Sequence, residues 1–136
     1  MRAMKKPRIL VVDDDPKVSH LLAVILRRCG GYEVIEENRA FKALTVAADL
    51  RPDLILLDVD MPGKTGGEVA AEVSEHPGLA RVPVLFVTSL VAPREAGGGC
   101  VKRGEHYFLS KPVVPNLLVQ TVQEILHSGV PTFAHA

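Results

Sequence analysis

Short apolar segments alternate with longer segments of helical periodicity along most of the 136-residue chain. The apolar segments predict strands at residues 8–12, 32–36, 54–57, 83–88 and 107–109. The intervening and following segments predict helices over residues 16–28, 39–50, 67–75, 92–104 and 114–127. Strands that alternate with helices through short links form a parallel sheet with helices on both faces. The expected fold class is therefore α/β, with a doubly wound, five-stranded parallel sheet.

The third predicted strand indicates where the chain could bind a ligand. It lies in the stretch PDLILLDVDMPG, in which residues 54–57 are all apolar, as is typical of a central strand buried on both faces. Asp58 follows this strand directly, so a carboxylate is placed at its carboxyl end. Ligands of open α/β sheets bind at the carboxyl ends of the strands.

Charge and composition exclude several classes of function. The 16 basic and 16 acidic residues give a net charge of zero, which argues against direct binding of nucleic acid through bulk charge. Cys29 and Cys100 are too few for a disulfide framework and lack metal-ligand spacing. No apolar run reaches the roughly 18 residues of a membrane helix, and no signal peptide is visible. We therefore expect a cytoplasmic protein that binds no membrane.

Polar side chains follow four of the five predicted strands. They are Asp13 and Asp14 after the first strand, Asp58 and Asp60 after the third, Thr88 at the end of the fourth, and Lys111 after the fifth. Asp13, Asp14 and Asp58 would bring three carboxylates into one crevice, where they raise one another's pKa unless a cation neutralises them. One lysine cannot balance these three acids. Oxygen ligands without His or Cys suit Mg²⁺ or Mn²⁺ rather than zinc.

This set of groups is suited to chemistry on a phosphoryl group. A carboxylate can attack phosphorus and form an aspartyl phosphate. A metal ion and Lys111 would neutralise charge on the transferring oxygens, and the Thr88 hydroxyl can donate a hydrogen bond to one of them.

Four segments together resemble the receiver domain of bacterial two-component response regulators. They read ILVVDDDP, PDLILLDVDMPG followed by Gly66, PVLFVTS, and FLSKP, in the family's order and spacing. The resemblance covers residues 8–128 and implies a flavodoxin-like (βα)5 fold. Residues 1–7 are then expected to form a flexible N-terminus and residues 129–136 a C-terminal tail.

The resemblance implies roles for the acidic residues. Asp58 matches the phosphoacceptor, and Asp13 and Asp14 match acids that bind Mg²⁺ together with it. The backbone carbonyl of Asp60 matches a further metal ligand. The donor would be a sensor histidine kinase or a phosphotransfer protein, and the phosphorylated form would act on an unknown downstream protein. Such a domain catalyses only its own phosphotransfer and dephosphorylation, as a monomer or a weak homodimer.

Other matched positions concern the response to phosphorylation. Thr88 and Lys111 match the hydroxyl and the lysine that contact the phosphoryl group. Thr88 and Phe108 match the switch pair, and the bond from Lys111 to Pro112 matches a typically cis peptide.

Three features depart from the family's pattern. Lys64 replaces an apolar residue in the loop after the phosphoacceptor and adds a charge near the site. Phe108 stands where the family often has a tyrosine, so it has no hydroxyl. Pro93 and the glycines at 97–99 should shorten or displace the fourth helix and leave residues 96–101 partly non-helical. We expect phosphorylation or a partner to order that segment as part of the signal.

Two other functions compete with this interpretation. Asp58 and Asp60 also resemble the nucleophile and general acid of haloacid-dehalogenase-like phosphatases. In that class, however, the motif normally lies on the first strand with further acids downstream, whereas here the other acids lie upstream. The second alternative is a pseudo-receiver, a binding module that is never phosphorylated. The presence of Asp14, Thr88 and Lys111 beside Asp58 argues against it.

Overall fold

The computed structural model describes residues 6–89, 100–103 and 106–128. The strands are β1 (Arg8–Val12), β2 (Glu33–Glu37), β3 (Leu54–Leu57), β4 (Val84–Thr88), β5 (Cys100–Arg103) and β6 (His106–Ser110). The helices are α1 (Pro16–Gly30), α2 (Ala43–Leu50), α3 (Gly66–Glu75) and α4 (Pro115–Ser128), and a short 3-10 helix (Ala40–Lys42) precedes α2. None of the helices in these ranges combines the length and the apolar composition needed to cross a bilayer.

One sheet contains all of these strands, in the order β2-β1-β3-β4-β6-β5. The first five in that order pair in parallel, which confirms the predicted doubly wound parallel sheet. β3 lies between β1 and β4, and each of its residues is buried, as its apolar sequence predicts. The strand that ends at Asp58 is therefore an interior strand of the sheet.

The core forms two layers, one on each face of the sheet. Successive residues of a strand point to opposite faces, so Ile9 and Leu54 join one layer while Leu10 and Ile55 join the other. The first layer also contains buried residues of α1 and α4, such as Leu22 and Leu118. The second contains residues of α2 and α3, such as Ala47 and Val69. The helices thus cover both faces and leave the carboxyl edge of the sheet for polar groups.

The helices that start at that edge have defined N-termini. The Asp15 carboxylate accepts a hydrogen bond from the backbone N–H of Lys17 at 2.9 Å and caps α1, which begins with Pro16. Thr65 and Glu68 form a reciprocal capping box at the start of α3. Each cap fixes where its helix begins, after one of the two loops that carry the acidic residues.

The prediction of a helix over residues 92–104 is wrong for residues 100–103, which form β5. This strand pairs antiparallel with β6, so that Arg103 faces His106. Residues 92–99 and residue 104, also within the predicted helix, lie outside the described residues. The sheet therefore has a sixth strand in addition to the five predicted. Gly104-Glu105 separates β5 from β6, and two residues that begin with glycine between strands are a recognised hairpin signal.

Gly66 allows α3 to start directly against the end of β3. Its N–H donates to the carbonyl oxygen of Val59 at 2.9 Å. A Cβ at this position would collide with the carbonyl oxygen of Asp58 and would lie 2.9 Å from Cα of Val59. These neighbours are backbone atoms, which cannot move aside cheaply. The contact therefore ties the start of α3 to the backbone of the candidate phosphoacceptor.

We expect Gly66→Ala to destabilise the fold by about 1–3 kcal/mol, the usual cost of overpacking a close contact. Gly67→Ala is the matched control, because a Cβ there meets only the Thr65 hydroxyl oxygen, at 3.8 Å. It should be neutral or slightly stabilising, since alanine favours helix over glycine. Urea unfolding of both variants measures the difference. Equal stabilities would show that the contact at Gly66 is relieved without cost.

Candidate functional site

Backbone hydrogen bonds hold the residues that follow three strands in line with the sheet. The N–H of Asp58 donates to the carbonyl of Val12 at 3.0 Å, which extends the pairing of β3 with β1. The N–H of Asp13 donates to the carbonyl of Glu37 at 3.2 Å, and that of Lys111 to the carbonyl of Thr88 at 2.9 Å. The main chain at Asp13, Asp58 and Lys111 is therefore held by backbone hydrogen bonds like those within the sheet.

Three carboxylates meet at this edge, as predicted. Asp13, Asp14 and Asp58 each offer one oxygen, and these oxygens lie within 4.8 Å of one another. The side chains of Asp13 and Asp58 are buried, at 2% and 8% exposure of the residue, whereas Asp14 is exposed. Two of the three charges are therefore shielded from water.

Lys111 lies between the two buried acids. Its Nζ is 3.2 Å from Oδ2 of Asp13 and 3.4 Å from Oδ1 of Asp58. The peptide bond from Lys111 to Pro112 is cis, as the resemblance implied. One ammonium group thus faces three carboxylates, so negative charge remains in excess within this group.

Burial and charge shift two pKa values here. Burial raises the pKa of the Asp58 carboxyl, the Asp13 carboxylate raises it further, and Lys111 offsets only part of the increase. Burial by itself would lower the pKa of Lys111, but the carboxylates of Asp13 and Asp58 outweigh that effect and raise it. An acid with a raised pKa was expected from repulsion, yet the largest cause for Asp58 is its removal from water.

The donor set fits a divalent cation of the magnesium type. All three candidate ligands are carboxylates, and no His or Cys belongs to this group of described residues. Hard oxygen donors suit Mg²⁺ and Mn²⁺, and the excess of negative charge is what such an ion would neutralise. The side chain of Asp60 is exposed, and the structure records no contact of it with the other acids.

The predicted switch residues lie on neighbouring strands. Thr88 is buried at the end of β4 and faces Ser110 of β6 in the register. Phe108, half-buried on β6, stacks on Phe86 of β4 with ring centroids 5.0 Å apart. Thr88 is therefore placed at the same edge as Lys111, whose N–H its carbonyl accepts, and Phe108 lies two residues before that edge.

Lys64 forms an ion pair that the sequence did not reveal. Its Nζ lies 2.8 Å and 2.9 Å from the two carboxylate oxygens of Glu72 in α3. The charge that was expected near the site is thus balanced by an ion pair within its own loop and helix.

The loop of residues 13–15, hereafter the acidic loop, is supported from behind by residues that the sequence did not reveal. The Asn38 amide nitrogen donates to the carbonyl of Asp13 and to the hydroxyl of Ser19, at 2.8 Å each. An Asn after a strand signals only a turn. Its contact with Asp13 follows from the position of β2 beside β1, which the local sequence does not specify.

Comparison with known proteins places this fold and site in a family. Residues 9–123 match the family model of the response regulator receiver domain. The chain belongs to that family. The predicted resemblance is thereby confirmed, and a phosphatase of the haloacid-dehalogenase type is not favoured.

Named relatives differ in length. The DNA-binding response regulator MtrA of Mycolicibacterium smegmatis is 34% identical over 118 residues, covering 87% of this chain and 50% of that protein. The chain therefore spans about half the length of that relative. Protein PilH of Pseudomonas aeruginosa is 28% identical over 119 residues, covering 88% of this chain and 97% of PilH.

Solved structures show the same fold. The chemotaxis protein CheY4 of Vibrio cholerae superposes with a TM-score of 0.75 at 29% identity, covering 89% of this chain and 99% of that one. The receiver domain of the sensor histidine kinase PA1611 of Pseudomonas aeruginosa also gives 0.75, at 26% identity, covering 91% and 100% of the two chains. That structure has a magnesium ion coordinated in its active-site cleft.

We expect Asp58→Asn to raise the free energy of unfolding at neutral pH by about 1–2 kcal/mol, because it removes a buried charge beside Asp13. The folded-state pKa of Asp58 is raised, so the parent loses stability as pH rises from the ordinary aspartate pKa through the folded one. The advantage of the variant should therefore shrink as pH falls through that window. Urea unfolding in chelator, with the exposed Asp60→Asn as control, measures it. An advantage that persists unchanged in acid would contradict this origin.

Proposed function

We propose that this receiver domain, residues 8–128, accepts a phosphoryl group on Asp58 and passes the signal on by changing a partner interaction. The observation that carries the proposal is the group of Asp13, Asp14 and Asp58, with Lys111 beside Asp13 and Asp58, at the carboxyl edge of a receiver fold. The family match over residues 9–123 supports it independently.

Each side chain has a role in the proposed transfer. A carboxylate oxygen of Asp58 forms the bond to phosphorus while the bond from phosphorus to the donor's imidazole nitrogen breaks, and its electron pair stays on that nitrogen. Lys111 lies 3.4 Å from the Asp58 carboxylate and would neutralise charge on the phosphoryl oxygens. The Thr88 hydroxyl would donate a hydrogen bond to one of those oxygens.

The proposed cofactor is Mg²⁺, or Mn²⁺, held by the carboxylates of Asp13, Asp14 and Asp58 and by the backbone carbonyl of Asp60. When bound, it would neutralise the excess negative charge of the acids and of the incoming phosphoryl group. The clustered oxygens and the raised pKa of Asp58 support this assignment.

The proposed donor is a phosphohistidine on a sensor histidine kinase or a phosphotransfer protein, in the cytoplasm. The proposed output is a change in how a downstream protein binds, with Thr88 and Phe108 as the groups that respond. The stacking of Phe108 on Phe86 links β6 to the strand that carries Thr88, which supports a joint response. The chain spans about half the length of a relative that is a DNA-binding response regulator, and the proposal here is confined to the receiver.

The phosphoacceptor can be tested by intact mass. In Mg²⁺ with a small acyl phosphate, the parent should gain one phosphoryl group and Asp58→Asn none. Asp60→Asn is the matched control and should still gain one, because its proposed contribution is a backbone carbonyl. A phosphorylated Asp58→Asn variant would assign the acceptor to another residue. Loss of phosphorylation in Asp60→Asn would instead favour a general acid, as in the phosphatase alternative.

Metal binding can be tested without phosphorylation. Mg²⁺ should raise the melting temperature of the parent, since a ligand that binds only the folded state at 100 times its Kd adds about 2.7 kcal/mol. Asp13→Asn and Asp14→Asn should lose most of that increase. Asp53→Asn, at an exposed position before the start of β3 and so at the opposite end of that strand from Asp58, should keep it. An equal increase in all four proteins would place the ion elsewhere.

A further inference from the structure

A polar contact behind the acidic loop has no part in the functions described so far. Asn38 follows β2 and is half-buried. Its amide nitrogen carries two hydrogens and has two acceptors at 2.8 Å, the carbonyl of Asp13 and the hydroxyl of Ser19. Ser19 is fully buried in α1. Asn38 thus joins β2, the acidic loop and α1 at one point.

This contact completes the fixation of Asp13. The N–H of Asp13 donates to the carbonyl of Glu37, and its carbonyl accepts from Asn38. Its Oδ1 accepts from the N–H of Asp15 at 2.9 Å, and its Oδ2 lies 3.2 Å from Nζ of Lys111. Every polar group of Asp13 therefore has a partner, and Asn38 is the one that holds its carbonyl.

The same contact controls the orientation of Asp14. The carbonyl of Asp13 and the N–H of Asp14 belong to one planar peptide unit, so fixing the first fixes the second. The next peptide unit is held by the N–H of Asp15 on Oδ1 of Asp13. Asp14 is exposed, so burial does not fix its side chain. Its direction toward Asp58 therefore depends on the two peptide units that flank it.

Further hydrogen bonds hold the residues on either side of Asn38 and the side chain of Ser19. The buried carboxylate of Glu37 accepts from the backbone N–H of Arg39 at 2.8 Å and from its Nε at 3.1 Å. Ser19, on the other side, also donates to the carbonyl of Pro16 or to Glu36, at 3.2 Å and 3.3 Å. The amide of Asn38 is thus held from both sides before it reaches the acidic loop.

We propose that Asn38 is a positioning residue for the metal site: through the carbonyl of Asp13, it holds the peptide that aims Asp14 at the cation, and Ser19 orients its amide. This inference rests on the proposed function, because it assumes that the acids bind Mg²⁺.

The test measures Mg²⁺ affinity by calorimetry on the whole chain, for the parent, Asn38→Ala, Ser19→Ala and the double variant. Asn38→Ala should weaken binding about tenfold, the lower end for loss of a group that orients a metal ligand. Since Ser19 acts through Asn38, the double variant should bind no more weakly than Asn38→Ala. Gln123→Ala, at an exposed position on α4, is the matched control and should bind like the parent.

A second measurement separates positioning from general structural damage. The rate of phosphorylation by a small acyl phosphate should fall about tenfold in Asn38→Ala at low Mg²⁺ and recover at saturating Mg²⁺, because only the affinity is changed. Asn38→Asp keeps the shape but places an acceptor against the Asp13 carbonyl, so it should behave like Asn38→Ala. Asn38→Asp replaces Asn38→Ala in both measurements if the alanine variant does not fold.

Unchanged Mg²⁺ affinity in folded Asn38→Ala or Asn38→Asp would overturn the inference. A rate that stays low at saturating Mg²⁺ would also overturn it, by showing a merely structural role. If the parent itself bound no Mg²⁺, the proposed cofactor would fail, and the role of Asn38 with it. Binding by the parent with no change in the variants would leave the proposed function intact and remove only the role of Asn38.

Discussion

The excess of carboxylates over ammonium groups at the carboxyl edge of the sheet is the constraint on which the site depends. Asp13 and Asp58 are removed from water and lie with Asp14 around one lysine. Carboxylates without support would not remain ionised at this position, because burial and mutual repulsion both disfavour the charged form. The fold tolerates them because backbone hydrogen bonds from neighbouring strands fix the chain on which they sit. The protein thereby maintains a local electrostatic stress that a cation or a phosphoryl transfer can relieve.

Much of the fold could be predicted because local sequence patterns indicate most of its strands and helices. Apolar runs of four or five residues and helical periodicities of ten or more define most elements to within one or two residues of their observed ends. Residues 100–103 are the exception. The expectation that residues 96–101 are partly non-helical is confirmed for residues 100 and 101, but the pairing of this segment with β6 depends on a partner strand. The helix over residues 92–104 was predicted from the alternation of strands and helices, whereas Gly104-Glu105 is a recognised hairpin signal in the sequence.

The candidate site also has residues that could be predicted from the local sequence and residues that could not. Asp13, Asp14, Asp58, Thr88 and Lys111 could be predicted because each follows or ends a strand, and parallel strands end at one edge. Their supports could not. Asn38 reaches Asp13 only because β2 lies beside β1, and the ion pair of Lys64 with Glu72 depends on how the loop before α3 is arranged. Residues that perform chemistry are marked by their type and position, whereas residues that orient them are marked by contacts between segments distant in the chain.

The antiparallel strand β5 changes the mechanical status of β6. In a five-stranded parallel sheet, the last strand would be an edge with one neighbour, free to shift by breaking a single row of hydrogen bonds. Here β6 is bonded to β4 on one side and to β5 on the other. A displacement of the β6 backbone must therefore shear two ladders or carry β5 along with it. The pairing with β5 stiffens the strand that leads to Lys111 and extends any movement of that strand to residues 100–103, so mechanical strain that begins at the candidate site would emerge at the outermost strand of the described sheet.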